Sequence, residues 1–437
     1  MTPRAIPSQR IGLLFDYEFD RPSLARQQHI VFDRAGFDLF SFPSQLALAT
    51  FDIDRFVHRQ IARGRRRAWQ GVHSAHEQYG ALAAAMIAQG LGLPGPTPQA
   101  IVAAQHKAHT RQVLQAIAPE SNLAFQVLPL PSGRLPDASM LRALSYPLYI
   151  KPVKAAFSIL ARRVESWEEL QQHLRFSAWE RYLMRRLIDP FERVSQRLLP
   201  HAGSAHRMLI ETPVDAGVPQ YNLDGYVQDG QAQAIGVVDA LMYPGTQAFM
   251  RWDVPSRLPA PVQARALALA GRLLKAIGFD QGLFNLEFFH DSKTDRLTVI
   301  ECNPRMASQF SDLYRRTLGL DLHALALRLA LGQRGQDTPR IRPSAAVASS
   351  IVYRSFAGER TPPAPDVSRR QALMQTFPDA LLFPMPKSQT GRLRDLKWTG
   401  SHRYGVLHLG ADSPDELRQR AAQASHLLGW TARVAET

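Results

Sequence analysis

The stretch from Gly282 to Arg305, G-L-F-N-L-E-F-F-H-D-S-K-T-D-R-L-T-V-I-E-C-N-P-R, constrains this chain more than any other. Leu283 to Phe289 and Leu297 to Cys302 are apolar and β-prone, and the polar segment His290 to Asp295 between them is turn-forming, which predicts a β-hairpin. Side chains alternate faces along a strand, so Asn285 and Glu287 share one face and Glu301 and Asn303 share one on the partner. A register centred on Thr294 sets Glu287 opposite Glu301 and Asn285 opposite Asn303. Two carboxylates then meet across the ladder with Cβ atoms roughly 4.5–5.5 Å apart, where like charges repel. The flanking residues are apolar on both faces, so neither side is freely solvated, and such a pair must neutralise itself or hold a cation. Oxygen ligands from Glu287, Glu301 and Asn303 suit a hard cation such as Mg²⁺. The alternative is a hairpin whose Glu and Asn simply reach its wet rim.

A chain of 437 residues exceeds what one core usually supports, so two or three packed domains are expected. No apolar run approaches the roughly 20 residues of a membrane helix. Ile11 to Phe15 leads directly into Asp16, Glu18 and Asp20, unlike a signal peptide. These features, with Cys302 as the single cysteine, predict a cytoplasmic protein without disulfide or membrane association. The net charge of +14 invites a nucleic-acid partner. It is carried by 45 arginines against seven lysines, a compositional habit instead of a built patch. The cluster Arg63 and Arg65 to Arg67 reads as a solvated loop, and no nucleic-acid surface is expected. In a chain that uses arginine almost everywhere, Lys107, Lys151 and Lys154 mark places that need a compact point charge.

Taken in order, Ile11 to Phe15 reads as a strand, Ser23 to Arg34 as a helix and Phe37 to Phe42 as a second strand, a β-α-β opening that implies a parallel sheet. A short strand follows at Trp69 to His73, then a helix from His76 to Gln89 and a Gly/Pro loop to Pro98. No G-x-G-x-x-G follows the first strand, so a dinucleotide site is not supported. One helix from Pro98 to Ala118 carries Lys107. Strands are predicted at Phe125 to Leu128 and at Tyr146 to Lys151, and Ser166 with Glu169 forms a capping-box start. Arg181 to Leu198 is a helix interrupted at Pro190. Strands at His206 to Ile210, Tyr221 to Val227 and Ala234 to Leu241 follow, the last two joined by the Asp229-Gly230 turn. Tyr243 to Pro261 is a Pro-rich loop, and Ala264 to Ile277 an amphipathic helix. Beyond the hairpin come a helix at Leu322 to Leu331, strands at Val347 to Phe356 and Gly405 to Leu409, and a final helix from Pro414 to Leu428.

The ordered motifs Lys107, Y-I-K-P ending at Lys151, L-I-E at Glu211, L-F-N-L-E at Glu287 and V-I-E-C-N-P-R from Glu301 to Arg305 resemble the ATP-grasp superfamily. Within it they look most like the carboxylate–amine ligase and biotin-carboxylase-like branch. The resemblance implies an α/β (α+β) architecture of three parts. Residues 1–97 form an N-terminal parallel-sheet domain. Residues 98–332 form a two-lobed ATP-grasp domain, with a small lid lobe at about 146–210 and the nucleotide between two sheets. Residues 333–437 form a small C-terminal α+β subdomain. It further implies that Lys107 and Lys151 neutralise ATP phosphates and that Glu211 and Val214 lie at an adenine-binding hinge. Asp224 matches an acidic position on the next strand. Glu287, Glu301 and Asn303 would hold Mg²⁺, or Mn²⁺ in its place, and Arg305 would join Lys151 as a catalytic cation.

One departure stands out. After the second lysine the family usually carries a glycine-rich phosphate loop, whereas this chain reads K-A-A-F-S-I-L-A-R-R from Lys154 to Arg163. Lys154 or the Ser158 hydroxyl could replace lost donors. The implied activity is ATP-dependent activation of a small-molecule carboxylate as an acyl phosphate, then attack by an amine, with amino acids among the candidate substrates. Arg251 and Arg257 are candidate carboxylate clamps, and His402 and Arg403 candidate closing residues. The rival readings are a bicarbonate-using carboxylase and a nucleotide-binding scaffold that has lost catalysis. The oligomeric state stays open, a homodimer included.

Overall fold

The computed structural model describes residues 9–37, 50–129, 141, 144–155, 160–215 and 217–430. Strands β1 (Gln9–Leu14), β2 (Ile30–Ala35) and β3 (Gly71–His73) form a parallel sheet in the order β2-β1-β3. The parallel opening is therefore present with a different second strand. Only Arg21–Leu24 is helical where a helix to Arg34 was expected, and Ile30, Val31 and Phe32 pair with β1 instead. Sheet pairing has overridden a weak helical pattern in a β-prone run. Of the expected strand Phe37 to Phe42, residues 38–42 lie outside the described residues. The arginine cluster is not a loop. It closes the helix Ile53–Arg67, where basic side chains favour the helix C-terminus, and Arg63 and Arg67 reach Asp33 at 3.7 and 3.6 Å.

A second sheet is antiparallel and holds β4 (Phe125–Pro129), β5 (Leu148–Pro152), β6 (Arg162–Val164) and β7 (Arg207–Glu211) in the order β4-β7-β5-β6. Its helix Ala178–Leu198 runs straight through Pro190 and starts from a capping box between Ser177 and Glu180. At Ser166 only half of the expected box forms, because Glu169 accepts from the Glu165 N–H instead of the cap residue. The single helix expected over 98–118 is two, Pro98–Gln105 and Lys107–Ile117. His106 leaves helical geometry between them, and its Nδ1 accepts from the His109 N–H.

The largest sheet has eight strands in the order β12-β11-β8-β9-β10-β13-β15-β14. These are β8 (Gln220–Gln228), β9 (Gln231–Met242), β10 (Phe249–Val254), β11 (Gly282–Asp291), β12 (Arg296–Asn303), β13 (Val347–Phe356), β14 (Leu381–Pro384) and β15 (Ser401–Ala411). Asp229 and Gly230 both take positive φ, 54° and 73°, as a two-residue mirror-image turn requires. β10 occupies the middle of the segment read as a Pro-rich loop, and through it the C-terminal strands continue the same sheet. One face of the sheet buries Leu223, Phe284, Leu286 and Phe288 against the helix Ala260–Ala276. The other buries Trp252, Val352 and Val406 against Tyr17, Phe19 and the helices Ser311–Leu318 and Leu322–Ala330. No helix among the described residues is long and apolar enough to cross a membrane.

Candidate functional site

The hairpin register pairs Asn285 with Asn303 and Glu287 with Glu301, as the alternation requires. A bulge then shifts the ladder by one residue, so that Phe288 pairs with Val299. Beside them β8 aligns Asp224 with Asn285 and Asn222 with Glu287. Three neighbouring strands thus bring Gln220, Asn222, Asp224, Asn285, Glu287, Glu301 and Asn303 onto one face. Gln220 donates to Glu287 at 3.1 Å, Asn285 to Asp224 at 3.0 Å, and the Asn303 amide to Glu287 at 3.2 Å.

Cations arrive from elsewhere. Lys107, the first residue of its helix, places Nζ 3.1 Å from the Glu301 carboxylate and donates to the Ala155 carbonyl at 2.8 Å. Burial alone would lower the Lys107 pKa, but Glu301, Glu77 and Glu287 outweigh it and hold the ammonium charged. Burial also acts on both carboxyls. Glu301 is nevertheless held below its ordinary range by Lys107 and Lys151, while Glu287 is pushed up, first by that burial and then by the ionised Glu301 that faces it. Among the described residues, no set of three or more His, Cys, Asp or Glu side chains gathers as metal ligands. The hairpin supplies two carboxylates and an amide, and of the two causes that raise the Glu287 carboxyl, burial first and repulsion from Glu301 second, a hard cation would relieve the second.

Lys151 and Glu211 form a separate, deeper cluster on the four-stranded sheet. Lys151 Nζ lies 2.9 Å from one Glu211 oxygen, and Arg111 Nε contacts the other. All three side chains are buried. Burial lowers the Lys151 pKa against the pull of Glu211, and it would raise Glu211 were Arg111 and Lys151 not holding that carboxyl down. Arg111 also donates to the Val299 and Ile300 carbonyls of β12 at 2.6 and 3.1 Å, which ties this cluster to the hairpin. Tyr149 pairs with Glu211 across β5 and β7, and burial first, then Glu211, Glu301 and Glu287, push its phenol up. Val214 follows β7 in the connection to β8 and is half-buried.

Arg305 leaves the end of β12 and donates to Glu77 at 2.6 Å. Glu77 comes from the loop after β3, so the N-terminal sheet contributes to the same site. Lys154 is held by other partners. Its ammonium is buried, bonded to the Glu77 carbonyl at 3.2 Å and Gln105 at 3.1 Å, and stacked 5.0 Å above the Phe191 ring. Burial, partly opposed by Glu77, pulls its pKa down to about 7. Asp224 is buried under Tyr314, which donates to it at 2.8 Å, and burial pushes its carboxyl up to about 7. Ser158 lies outside the described residues. Arg251 and Arg257 are engaged by Asp253 and Asp239, which point to the sheet face opposite Glu287, so neither joins this cluster. His402 is buried against Asp395 at 3.0 Å.

Sequence reasoning missed Glu77, Arg111 and Tyr149. The four-residue spacing from Lys107 to Arg111 places both on one helix face and was a usable signal for the second. Nothing local marks Glu77.

No protein-family model matches the chain. A segment of 103 residues is 34% identical to the carbamoyl phosphate synthase large chain of Pseudothermotoga lettingae, covering 23% of this chain and 9% of that protein. The corresponding protein of Thermotoga neapolitana is 32% identical over 155 residues, 34% of this chain and 14% of its own length. Matches to these curated relatives therefore span only a small part of them. Solved structures agree over nearly the whole chain. An L-amino acid ligase from Bacillus licheniformis superposes with a TM-score of 0.66 at 17% identity, covering 96% of this chain and 97% of its own. An N5-carboxyaminoimidazole ribonucleotide synthetase from Thermus thermophilus gives 0.62 at 17%, with 97% and 99% covered. A biotin carboxylase from Campylobacter jejuni, solved as a β,γ-ATP complex, gives 0.57 at 13%, with 96% and 91% covered. The agreement over nearly the whole chain is one of fold, and the chain has the ATP-grasp fold.

Proposed function

We propose that the chain is an ATP-dependent ligase that joins a carboxylate to an amine. The observation that carries this reading is the 3.1 Å pair between Lys107 and Glu301, which sets a lysine from a separate helix against the polar face of the hairpin. In the first step a substrate carboxylate oxygen bonds to the γ-phosphorus as the bond to the β,γ-bridging oxygen breaks, releasing ADP. In the second the amine nitrogen bonds to the acyl carbon, phosphate leaves, and the amine proton passes to solvent. Glu287, Glu301 and Asn303 are the residues that would hold Mg²⁺ or Mn²⁺, whose role is to neutralise phosphate charge. Lys107 and Lys151 position the phosphates, and Arg305 meets charge developing on the transferred group. The protein's contribution is orientation and charge neutralisation.

The test is incubation of the full chain with ATP, Mg²⁺ and pooled L-amino acids, followed by mass spectrometry and an ADP assay. ADP formation that depends on the pool, with a new C–N product, is the expected result. Absence of ADP from amino-acid, hydroxy-acid and bicarbonate pools alike would overturn the assignment.

A further inference from the structure

A cavity of about 280 Å³ lies at the far end of the parallel sheet from the site described above. Tyr17 and Glu77 follow the C-terminal ends of β1 and β3, whereas the cavity is lined by Gln9 and Ile30, which open β1 and β2. At about 3.3 Å per residue, roughly 17 Å of β1 separates the two ends. No residue assigned to the nucleotide or the metal lines this cavity. Its second wall is the helix Leu322–Ala330, where Ala324, Leu327, Arg328 and Leu331 share one face by their spacing of three and four. Its third is the chain around Ile341, whose N–H donates to the Gly319 carbonyl at 2.9 Å. Gly319 has a φ of 67°, and a Cβ there would run into the Ile341 carbonyl, so this closure requires glycine.

The lining is apolar on one side and basic on the other. Ile30 and Leu327 are buried in the core beneath the parallel sheet, and Ile341 keeps 47% of its surface exposed. Arg26, Arg315 and Arg328 bring positive charge, and Asp321 is the one carboxylate in the lining. Asp321 is already engaged, accepting from Arg26 at 3.1 Å, from the His323 N–H at 2.9 Å and from the Ser23 hydroxyl. Among the described residues the Arg328 side chain donates to the Arg334 carbonyl at 3.2 Å and to nothing else, and the Arg315 side chain makes no hydrogen bond or ion pair. Both are half-buried. Two guanidinium groups on successive helices thus line one cavity without a counter-charge, and beside low-dielectric walls they concentrate a positive potential.

We infer that this cavity is a second ligand site, for a small molecule that joins a dianionic oxyanion head, a phosphate monoester or a dicarboxylate, to an apolar body. Planar guanidinium forks match phosphate and carboxylate oxygens, and a dianion answers both uncompensated charges at once. The apolar body covers Ile30, Leu327 and Ile341. A volume of about 280 Å³ falls just under the range of about 300–1,000 Å³ that holds drug-sized molecules, which limits the occupant to a small metabolite. Such an occupant ties the start of the N-terminal sheet to the two helices that carry Arg315 and Arg328.

The experiment uses the full chain with Mg²⁺ and an excess of a non-hydrolysable ATP analogue, which keeps a phosphate probe out of the nucleotide site. Phenyl phosphate and phenylsuccinate are titrated calorimetrically beside inorganic phosphate, succinate and phenol, which carry the head or the body alone. Phenyl phosphate or phenylsuccinate is expected to bind about ten-fold tighter than its separate halves, and the tighter of the two identifies the head as phosphate or dicarboxylate. Arg315→Met and Arg328→Met should each weaken that binding about ten-fold, and Arg328→Lys should keep part of it. Arg360→Met, at an exposed position outside the cavity, should leave it unchanged. Circular dichroism verifies that the variants fold. No binding by either probe, no advantage over the separate halves, or unchanged binding in Arg315→Met and Arg328→Met would each overturn the inference. So would equal weakening in Arg360→Met, the mark of diffuse attraction to a chain of net charge +14. The variants locate the probe whether or not the analogue binds, so the ligase reading stands or falls separately.

Discussion

Replacing Arg111 with Met should destabilise the protein more than most single substitutions. The guanidinium is fully buried and serves Glu211, the Val299 and Ile300 carbonyls and the Asn122 side chain. Deleting it leaves Glu211 with Lys151 as its remaining ion-pair partner among the described residues and takes a donor from two carbonyls of β12. Breaking a buried ion pair by removing one partner costs about 3–5 kcal/mol. That is roughly two to nearly four orders of magnitude in the folding equilibrium. The same change at Arg163, whose side chain is 34% exposed beside a Glu165 that is 59% exposed, should cost about 0–1 kcal/mol. Urea unfolding followed by tryptophan fluorescence reads the difference. With a slope of about 3 kcal/mol per M, the midpoint of Arg111→Met should fall by about 1 M or more. Glu211 is held below its ordinary pKa in the folded state, so its stabilisation is present above the usual carboxylate range and is lost as pH falls through its folded pKa. The gap between the two proteins should accordingly narrow in acid. A variant within about 1 kcal/mol of the parent at neutral pH would refute the placement of Arg111 as the tie between the four-stranded sheet and the hairpin.

Other expectations follow from the same geometry. The Lys154 ammonium titrates near 7 folded and close to its ordinary 10.5 unfolded, so the unfolded chain binds more protons between those values and stability should rise with pH across that window. Thermal midpoints of the parent and Lys154→Met between pH 6 and 10 should therefore show a steeper rise for the parent, and parallel slopes would rule the assignment out. Glu287→Gln removes a carboxylate from a repelling pair, so the metal-free variant should unfold no earlier than the parent while turnover drops about 10²-fold or more. Retained turnover in that variant would sink the metal-ligand reading.

The hairpin was legible because two independent regularities agree there, a turn-forming gap between apolar runs and polar residues spaced two apart. The pairing of Glu287 with Glu301 followed, although the bulge beyond it did not. β2 and β10 were hidden for a common reason. Both runs are short, and their partners, Gln9–Leu14 for one and β9 with β13 for the other, lie outside any local window. His106 broke a helix without glycine or proline, through a side-chain cap that composition does not announce. Lys154 is offered as a replacement donor by its neighbours in sequence alone. Its partners Glu77, Gln105 and Phe191 come from distant segments, and only the fold brings them together. The ion pairs of Arg251 with Asp253 and of Arg257 with Asp239 likewise come from the fold.

The most direct measurement is a calorimetric titration of the full chain with a non-hydrolysable ATP analogue, with and without Mg²⁺, repeated on Lys151→Met. Lys151 shares Glu211 with Arg111 and adds to the positive field on Glu301, so its loss should weaken Mg²⁺-dependent nucleotide binding about ten-fold or more. Mg²⁺-dependent binding that falls in the variant is the predicted result. No binding by the parent, or equal binding by both proteins, would contradict the nucleotide site itself.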